Sequence, residues 1–320
     1  MTPPSTPPLS VRIAVVSHQS SPVLGDLLAS IERARTRARD AVRADVVVVD
    51  NASSDGSAEL ARKAGVTLLA LDENVGFGAA ANRALEGSVA DWLVVLNPDL
   101  VVDDGFLEAL ADVARGLAPD VGILGAALSN PDGSPQPSIG DEPTLLRTLA
   151  GLCRPRSARK YRPIGAHARG PVDWVTGAAV AVRGTCWKAI GGFDPGFFLY
   201  YEDADLCRRA RDAGHRTVFE PALCAVHLSP LAQRPVPPRL VPVVRYAQLR
   251  YFRTHRPRAE LAVLALAVTL WSRLAPLVRA GAAAGEAIDW PAVRRAVRAG
   301  RRGEPGPSLG PAGARAERVH

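Results

Sequence analysis

Asp45-Val-Val-Val-Val-Asp50 constrains the fold more than any other stretch of the chain. Four β-branched residues in a row, bounded by carboxylates, leave no polar face to turn toward water. Such a run fits a strand buried on both sides, as parallel sheets require. The same signal recurs at Val11-Arg-Ile-Ala-Val-Val-Ser17, Val66 to Leu71, Trp92-Leu-Val-Val-Leu96 and Val121 to Leu128. Between these runs the pattern predicts helices over 22–39, 57–64, 78–86 and 104–115. Ser54 or Asp55 can cap the second of them and Gly65 can end it. Strand and helix alternate over about 130 residues, which predicts an open α/β sheet with helices on both faces. Ligands of such sheets bind beyond the carboxyl ends of the strands, where Asp50, Asn51 and Asp99 fall. No G-x-G-x-x-G follows the first strand, which argues against a dinucleotide oxidoreductase.

Several turns carry more chemistry than a turn needs. Asp50-Asn-Ala-Ser-Ser-Asp-Gly-Ser57 closes a buried strand and opens a helix, so its carboxylate can receive hydrogen bonds from a base or sugar. Turn and capping chemistry explains it as well. Asn74-Val-Gly-Phe-Gly-Ala-Ala-Ala-Asn82 places glycines for close backbone approach; helix packing explains its alanines better than its two amides. Asn97-Pro-Asp99 ends the fourth strand, and one carboxylate there suits a divalent cation completed by phosphate and water. Phe198-Leu-Tyr-Tyr-Glu-Asp-Ala-Asp205 sets Glu202, Asp203 and Asp205 at the start of a helix predicted from Asp205 to Ala213. Capping accounts for one or two of these acids. It leaves the neighbouring aromatics unexplained in a chain that is only 5% Phe, Trp and Tyr. A carboxylate walled by rings is a way to make a general base beside an organic substrate.

Taken in order, VVSHQSS, VVVVDNASSDGS, NVGFGAAAN, LNPD, WVTGAAVAVR, GGFDPGFFLYYEDADLCRRARDAG and a later histidine resemble the family 2 glycosyltransferases, nucleotide-sugar enzymes of the GT-A fold. The resemblance spans Val11 to Ser229 and is nearest to bacterial rhamnosyltransferase-type members. It implies that Ser17, Asp50 and Asn51 hold the nucleoside and that Asn82 supports the donor pocket. It makes Asp203 the general base, with Trp174, Glu202 and Asp205 lining the acceptor site. Asp99 and His227 would hold a divalent cation, Mg or Mn. Here Asn97 stands where the family's metal motif has its first acid, so Asn97 gives only secondary help on the donor side. His18 replaces a tyrosine common in the first motif. The implied reaction is inverting transfer of a sugar, dTDP-L-rhamnose being the first choice of donor ahead of UDP- and GDP-hexoses, to a lipid-linked or envelope-glycan acceptor. The alternative is a catalytically silent nucleotide-sugar-binding or membrane scaffold protein of the same fold.

The expected organisation is a disordered leader over 1–9, a GT-A domain over 10–229, a helical membrane-proximal extension over 230–290 and a disordered basic tail over 291–320. Charge follows these boundaries. Residues 228–320 hold 16 Lys and Arg against 5 Asp and Glu, a net +11 that leaves −4 for the rest of a chain totalling +7. That asymmetry argues against nucleic acid as a partner and for a local encounter with an anionic surface. Arg234, Arg239, Arg245, Arg250, Arg253, Arg256 and Arg258 come without an intervening acid and lead into the apolar Leu261 to Leu277. This layout predicts peripheral attachment at the inner face of the plasma membrane rather than a span. Cys153, Cys186, Cys207 and Cys224 show no C-x-x-C or zinc-ligand spacing and are expected as buried thiols of a cytoplasmic protein.

Overall fold

The computed structural model describes residues 7–151, 161–162, 169–228, 236–279 and 287–308, with the side chains of 276–279 left out. Its first half alternates β1 (Leu9–Ser17), α1 (Ser21–Arg37), β2 (Val42–Asp50), α2 (Ser57–Lys63), β3 (Thr67–Ala70), α3 (Phe77–Leu85) and β4 (Trp92–Leu96). Next come β5 (Leu100–Val102), α4 (Phe106–Gly116) and β6 (Val121–Ser129), then β7 (Pro135–Gln136), β8 (Ile139–Gly140) and α5 (Leu145–Ala150). The chain continues through β9 (Gly170–Pro171), β10 (Trp174–Val175), β11 (Ala179–Arg183), α6 (Gly184–Ile190), α7 (Glu202–Asp212) and β12 (Arg216–His227). Three C-terminal helices follow: α8 (Val241–His255), α9 (Arg258–Arg279) and α10 (Trp290–Arg302).

The main sheet runs β3-β2-β1-β4-β11-β6-β12-β5, with β7 added to β6 and β9 to β12. Both of its faces are covered, and the side-chain period of two shows which residue serves which. Ala14, Val16, Val47, Val49, Leu93 and Val95 enter one core, while Ile13, Val15, Val46, Val48, Val94 and Leu96 enter the other. The second core is closed by α1 and α4 through residues such as Leu24, Leu27, Phe106 and Leu110. The expected α/β layering is present. The sheet is mixed in direction, because β11 enters antiparallel between β4 and β6. The apolar run Ala179–Arg183 is buried on both faces in either direction, so its composition carries no sign of that choice.

The C-terminal helices share the first core. Leu240, Val243, Leu249 and Phe252 of the α8 region, Leu264 and Val268 of α9, and Val297 of α10 pack with Trp174, Tyr200 and Ala204. Several arginines expected to face a membrane are therefore held inside the protein. Arg245 is 4% exposed and lies over the Trp271 ring at 4.7 Å. Arg250 pairs with Asp194 at 2.7 Å, and Arg256 with Glu260 at 2.9 Å. Arg234 lies outside the described residues.

Three boundaries differ from the sequence reading. Leu9 already belongs to β1, so the leader, whose first six residues lie outside the described ones, ends sooner. The tail expected to be disordered from 291 instead holds α10. Val293, Ala296, Val297 and Gly300 recur at helical spacing and are buried, Asp289 caps the start by accepting from Ala292 N–H, and Gly303 ends it in a left-handed turn. Finally, α7 begins at Glu202 rather than Asp205, because Tyr200 and Tyr201 adopt φ of 71° and 68° and turn the chain early. Left-handed backbone at such residues costs about 1–3 kcal/mol each and persists where the surroundings fix it.

Candidate active site

The strand order reverses at β1, which has β2 on one side and β4 on the other, and that reversal opens a crevice at the carboxyl ends. Ser17 and Asp50 end β1 and β2 and stand opposite each other in the parallel register. Both are buried, at 0% and 4% exposure. Asp50 Oδ2 accepts from Ser53 N–H at 3.1 Å, whereas Asp50 Oδ1 and Ser17 Oγ have no hydrogen-bond partner. An unsatisfied buried polar atom costs about 1–3 kcal/mol, so two together mark a place for a polar ligand.

Asn51 and Asn82 were expected beside these residues, yet both side chains are engaged within the protein. Asn51 Nδ2 donates to Asn74 Oδ1 at 2.9 Å, and its Oδ1 accepts from Val75 N–H at 3.0 Å. Asn82 Nδ2 donates to Phe193 O at 2.8 Å, and its Oδ1 accepts from Phe193 N–H at 2.9 Å. The first shapes the turn into α3; the second clamps α3 onto the aromatic loop before α7. The glycines of that turn serve the same packing. A Cβ at Gly76 would lie 2.4 Å from Phe198 O, and one at Gly78 would lie 2.8 Å from Phe193 Cβ.

Asn97 and Asp99 follow β4, and Asn97 N–H donates to Ala178 O at 2.8 Å. His227, far along the chain, reaches Asp99 because β5 pairs antiparallel with the end of β12, His227 opposite Leu100. His227 Nε2 lies 3.1 Å from Asp99 Oδ1, and its Nδ1 lies 3.0 Å from Gln136 Nε2. Two donors about 2.1 Å from one cation at adjacent octahedral positions would stand about 3.0 Å apart, so this pair fits two ligands of a divalent ion. Among the described residues no group of three or more His, Cys, Asp or Glu is placed to hold a metal, so the remaining ligands have to come from elsewhere.

Asp203 sits in the first turn of α7 at 5% exposure, and Ala204 N–H donates to its Oδ1 at 2.9 Å. A Cβ at Gly177 would lie 3.8 Å from Asp203 Cβ and 3.2 Å from the Phe77 ring. Because Ala178 O receives Asn97 N–H, the Gly177–Ala178 corner joins Asp203 to the loop carrying Asp99. Next to Ala204 opens a cavity of about 380 Å³, lined by Trp174, Tyr161, Tyr200, Tyr201, Leu146 and Gln248 among others. Trp174 is fixed by Nε1 donating to Asp141 O at 2.8 Å. Burial raises the Asp141 carboxyl, but hydrogen bonds from Arg162 and Arg147 outweigh it and hold the group below the usual carboxylate range.

Asp205 does not join this wall. Its side chain is fully buried; Oδ2 accepts from Arg209 Nε at 2.8 Å, and Oδ1 lies 2.7 Å from His255 Nε2. Two residues apart on α7, Asp203 and Asp205 thus meet different neighbours, Asp203 the Gly177 corner and Asp205 the helix α8. Glu202 is 6% exposed. Gln136, Tyr161, Gln248 and His255 were missed by sequence reasoning, since they lie in the irregular excursion after β6 or in the C-terminal helices, where no motif names them. The buried Cys186 and Cys207 match expectation, with burial pushing the thiols up to about 11 and about 12, whereas Cys224 is exposed.

Residues 7–237 match the family described as glycosyltransferase like family 2. The chain is 33% identical over 235 residues to the N-acetylglucosaminyl-diphospho-decaprenol L-rhamnosyltransferase of Mycobacterium tuberculosis, covering 67% of this chain and 75% of that one. It is 26% identical over 137 residues to a rhamnosyltransferase of Escherichia coli, 43% of this chain and 52% of the relative. In fold it is similar to a mannosyltransferase of Pyrobaculum calidifontis solved with GDP-mannose and Mn²⁺. That likeness has a TM-score of 0.51 at 18% identity and covers 93% of this chain and 88% of that one. With the crevice at the carboxyl ends of the strands and these likenesses together, the chain belongs to glycosyltransferase family 2, with the GT-A architecture, and is a glycosyltransferase.

Proposed function

We propose that the protein is an inverting, metal-assisted transferase that moves L-rhamnose, from dTDP-L-rhamnose as first choice, to a lipid-linked or cell-envelope glycan acceptor. The observation that carries the donor side is the pair of buried, unpartnered atoms at the sheet's reversal, Ser17 Oγ and Asp50 Oδ1. Asp50 Oδ1 can accept from a base N–H or a ribose hydroxyl, and Ser17 can serve either way. Asn97 borders the diphosphate side.

Asp203 takes the proton of the acceptor hydroxyl as that oxygen attacks the anomeric carbon. One base and direct attack by the acceptor invert that carbon. Asp99 and His227 hold a Mg or Mn ion, which when bound supplies positive charge for the leaving diphosphate. Trp174 and Glu202 border the acceptor, and the aromatic cavity beside Ala204 gives it a partly dry seat.

Peripheral contact with an anionic membrane from the cytoplasmic side is part of the same reading. Among the described residues no helix is long and apolar enough to cross a membrane. Instead α9 exposes Val263, Leu266, Leu270 and Leu274, and Leu146 at the cavity is 79% exposed. These support an apolar contact rather than the row of arginines as the main attachment, with exposed Arg295, Arg298, Arg301 and Arg302 of α10 available for anionic headgroups.

The test is a panel of nucleotide sugars, with and without Mn²⁺, read for donor hydrolysis and for transfer. Turnover of dTDP-L-rhamnose above UDP- and GDP-hexoses supports the reading. Preference for another donor overturns the rhamnose assignment, and binding without any hydrolysis or transfer marks a silent member of the fold.

A further inference from the structure

Gln136 is the least expected member of the site. It is half of the two-residue strand β7, held against β6 with Gln136 opposite Leu128. Its side chain is 1% exposed and packed into the sheet's end behind His227. The amide nitrogen lies 3.0 Å from His227 Nδ1, while the amide oxygen is buried with no hydrogen-bond partner. Gln136, His227 and Asp99 thus form a line, with the imidazole in the middle.

A neutral imidazole carries one proton, and what faces Nδ1 decides where it sits. With the amide N–H donating to Nδ1, the proton is on Nε2 and is donated to Asp99 Oδ1. In that form the pair is closed on itself, because Nε2 has no lone pair to offer. Turning the amide through 180° about its last torsion presents the oxygen to Nδ1 instead. Nδ1 then carries the proton and donates it to Gln136, and Nε2 faces Asp99 with a free lone pair. One proton shifts from Nε2 to Nδ1 and the charge is unchanged. The second form is the one in which an imidazole ligates a cation, its other nitrogen donating to a fixed acceptor.

We propose that Gln136 is the positioning residue that sets the tautomer of His227 and so switches the Asp99–His227 pair between a closed and a cation-receiving form. This rests on the reading of that pair as the cation's protein ligands. An amide suits the task as neither a carboxylate nor an apolar chain does, because it offers a donor and an acceptor in one shape.

The test compares wild type with Q136M, which keeps length and loses both hydrogen-bonding groups, and Q136E, which can only accept. Mn²⁺ binding is read by the electron paramagnetic resonance of free ion, with and without dTDP, at pH 8.5 where an ordinary imidazole is neutral. In parallel, ¹⁵N signals of His227 in the metal-free protein report which ring nitrogen is protonated. Q136M is expected to weaken Mn²⁺ binding by roughly 10–100-fold. Q136E is expected to bind Mn²⁺ at least as well as wild type and to move the proton from Nε2 to Nδ1. Equal weakening in both variants is what a packing role alone would give, and it overturns the proposal. So does Q136M binding like wild type, or a His227 tautomer indifferent to residue 136. A wild-type protein that binds no Mn²⁺ under either condition removes the metal reading and the switch with it, while the ring signals still report separately on whether Gln136 sets the tautomer.

Discussion

Asp205→Ala separates a structural acid from an acceptor-binding one. Asp205 is fully buried, with Arg209 Nε at 2.8 Å and His255 Nε2 at 2.7 Å, and His255 itself is only 4% exposed. Truncation removes two strong hydrogen bonds, each contributing about 1.5–3 kcal/mol where a charged group takes part. It also strands their partners, and breaking a buried pair costs about 3–5 kcal/mol. Arg209 is 23% exposed and keeps its bond to Ile190 O at 2.7 Å, which places the loss near the lower end. About 3 kcal/mol corresponds to a fall in Tm of roughly 6–12 °C for a domain of a couple of hundred residues, and somewhat less for a larger one. Thermal unfolding followed by circular dichroism measures it, with nucleoside diphosphate binding and acceptor KM determined well below the transition. His255→Ala should destabilise in the same sense, and the double variant should cost about 1–2 kcal/mol less than the two losses added, since both remove one contact. An unchanged Tm with a raised acceptor KM would refute this reasoning and return Asp205 to the acceptor site. The stake is functional, because this contact ties α8 to the turn of α7 that carries Asp203.

Asp203→Asn should lower transfer by about 10²–10⁴-fold with donor binding intact, and near wild-type turnover on the true acceptor would remove it as the base. EDTA should inhibit, and Asp99→Ala should weaken nucleoside diphosphate binding only when metal is present; full activity in rigorously metal-free buffer contradicts the cation's role. L266Q/L270Q should weaken co-sedimentation with phosphatidylcholine–phosphatidylglycerol vesicles by roughly tenfold or more, each exposed leucine being worth about 1.5 kcal/mol when buried, and undiminished binding would exclude the α9 face as the contact. In a Cys153→Ser background a thiol reagent at pH 8 should label Cys224 quickly and leave Cys186 and Cys207 unlabelled until unfolding, because burial holds their thiols protonated.

The alternation of buried β-branched runs with helices was legible because each run has to hide both faces, and only a layered α/β sheet does that for several in succession. Asp50, Asn51 and Asp99 could be placed at strand ends, where such sheets leave room, by position alone, whereas Ser17 came only with the family resemblance. What sequence could not decide was direction and partnership. Nothing in Ala179–Arg183 states that it enters antiparallel, and the pairing of Asp99 with His227 came from the family resemblance, while the third member of that line, Gln136, had no signal in the sequence. Three acids in one helical turn look alike in sequence, yet the 100° step per residue sets Asp203 against the Gly177 corner and buries Asp205 against His255. In the same way Asn51 and Asn82 are polar residues at turns whose amides tertiary contacts engage, with Asn74 and Val75 for the first and Phe193 for the second, and Arg245 is a cation held over the Trp271 ring. Local sequence determines which elements form and which face each buries, because those follow from backbone propensity and side-chain period. Which polar groups end up satisfied, and which are left open for a ligand, depends on neighbours distant in the chain, and only the packed structure brings those neighbours together.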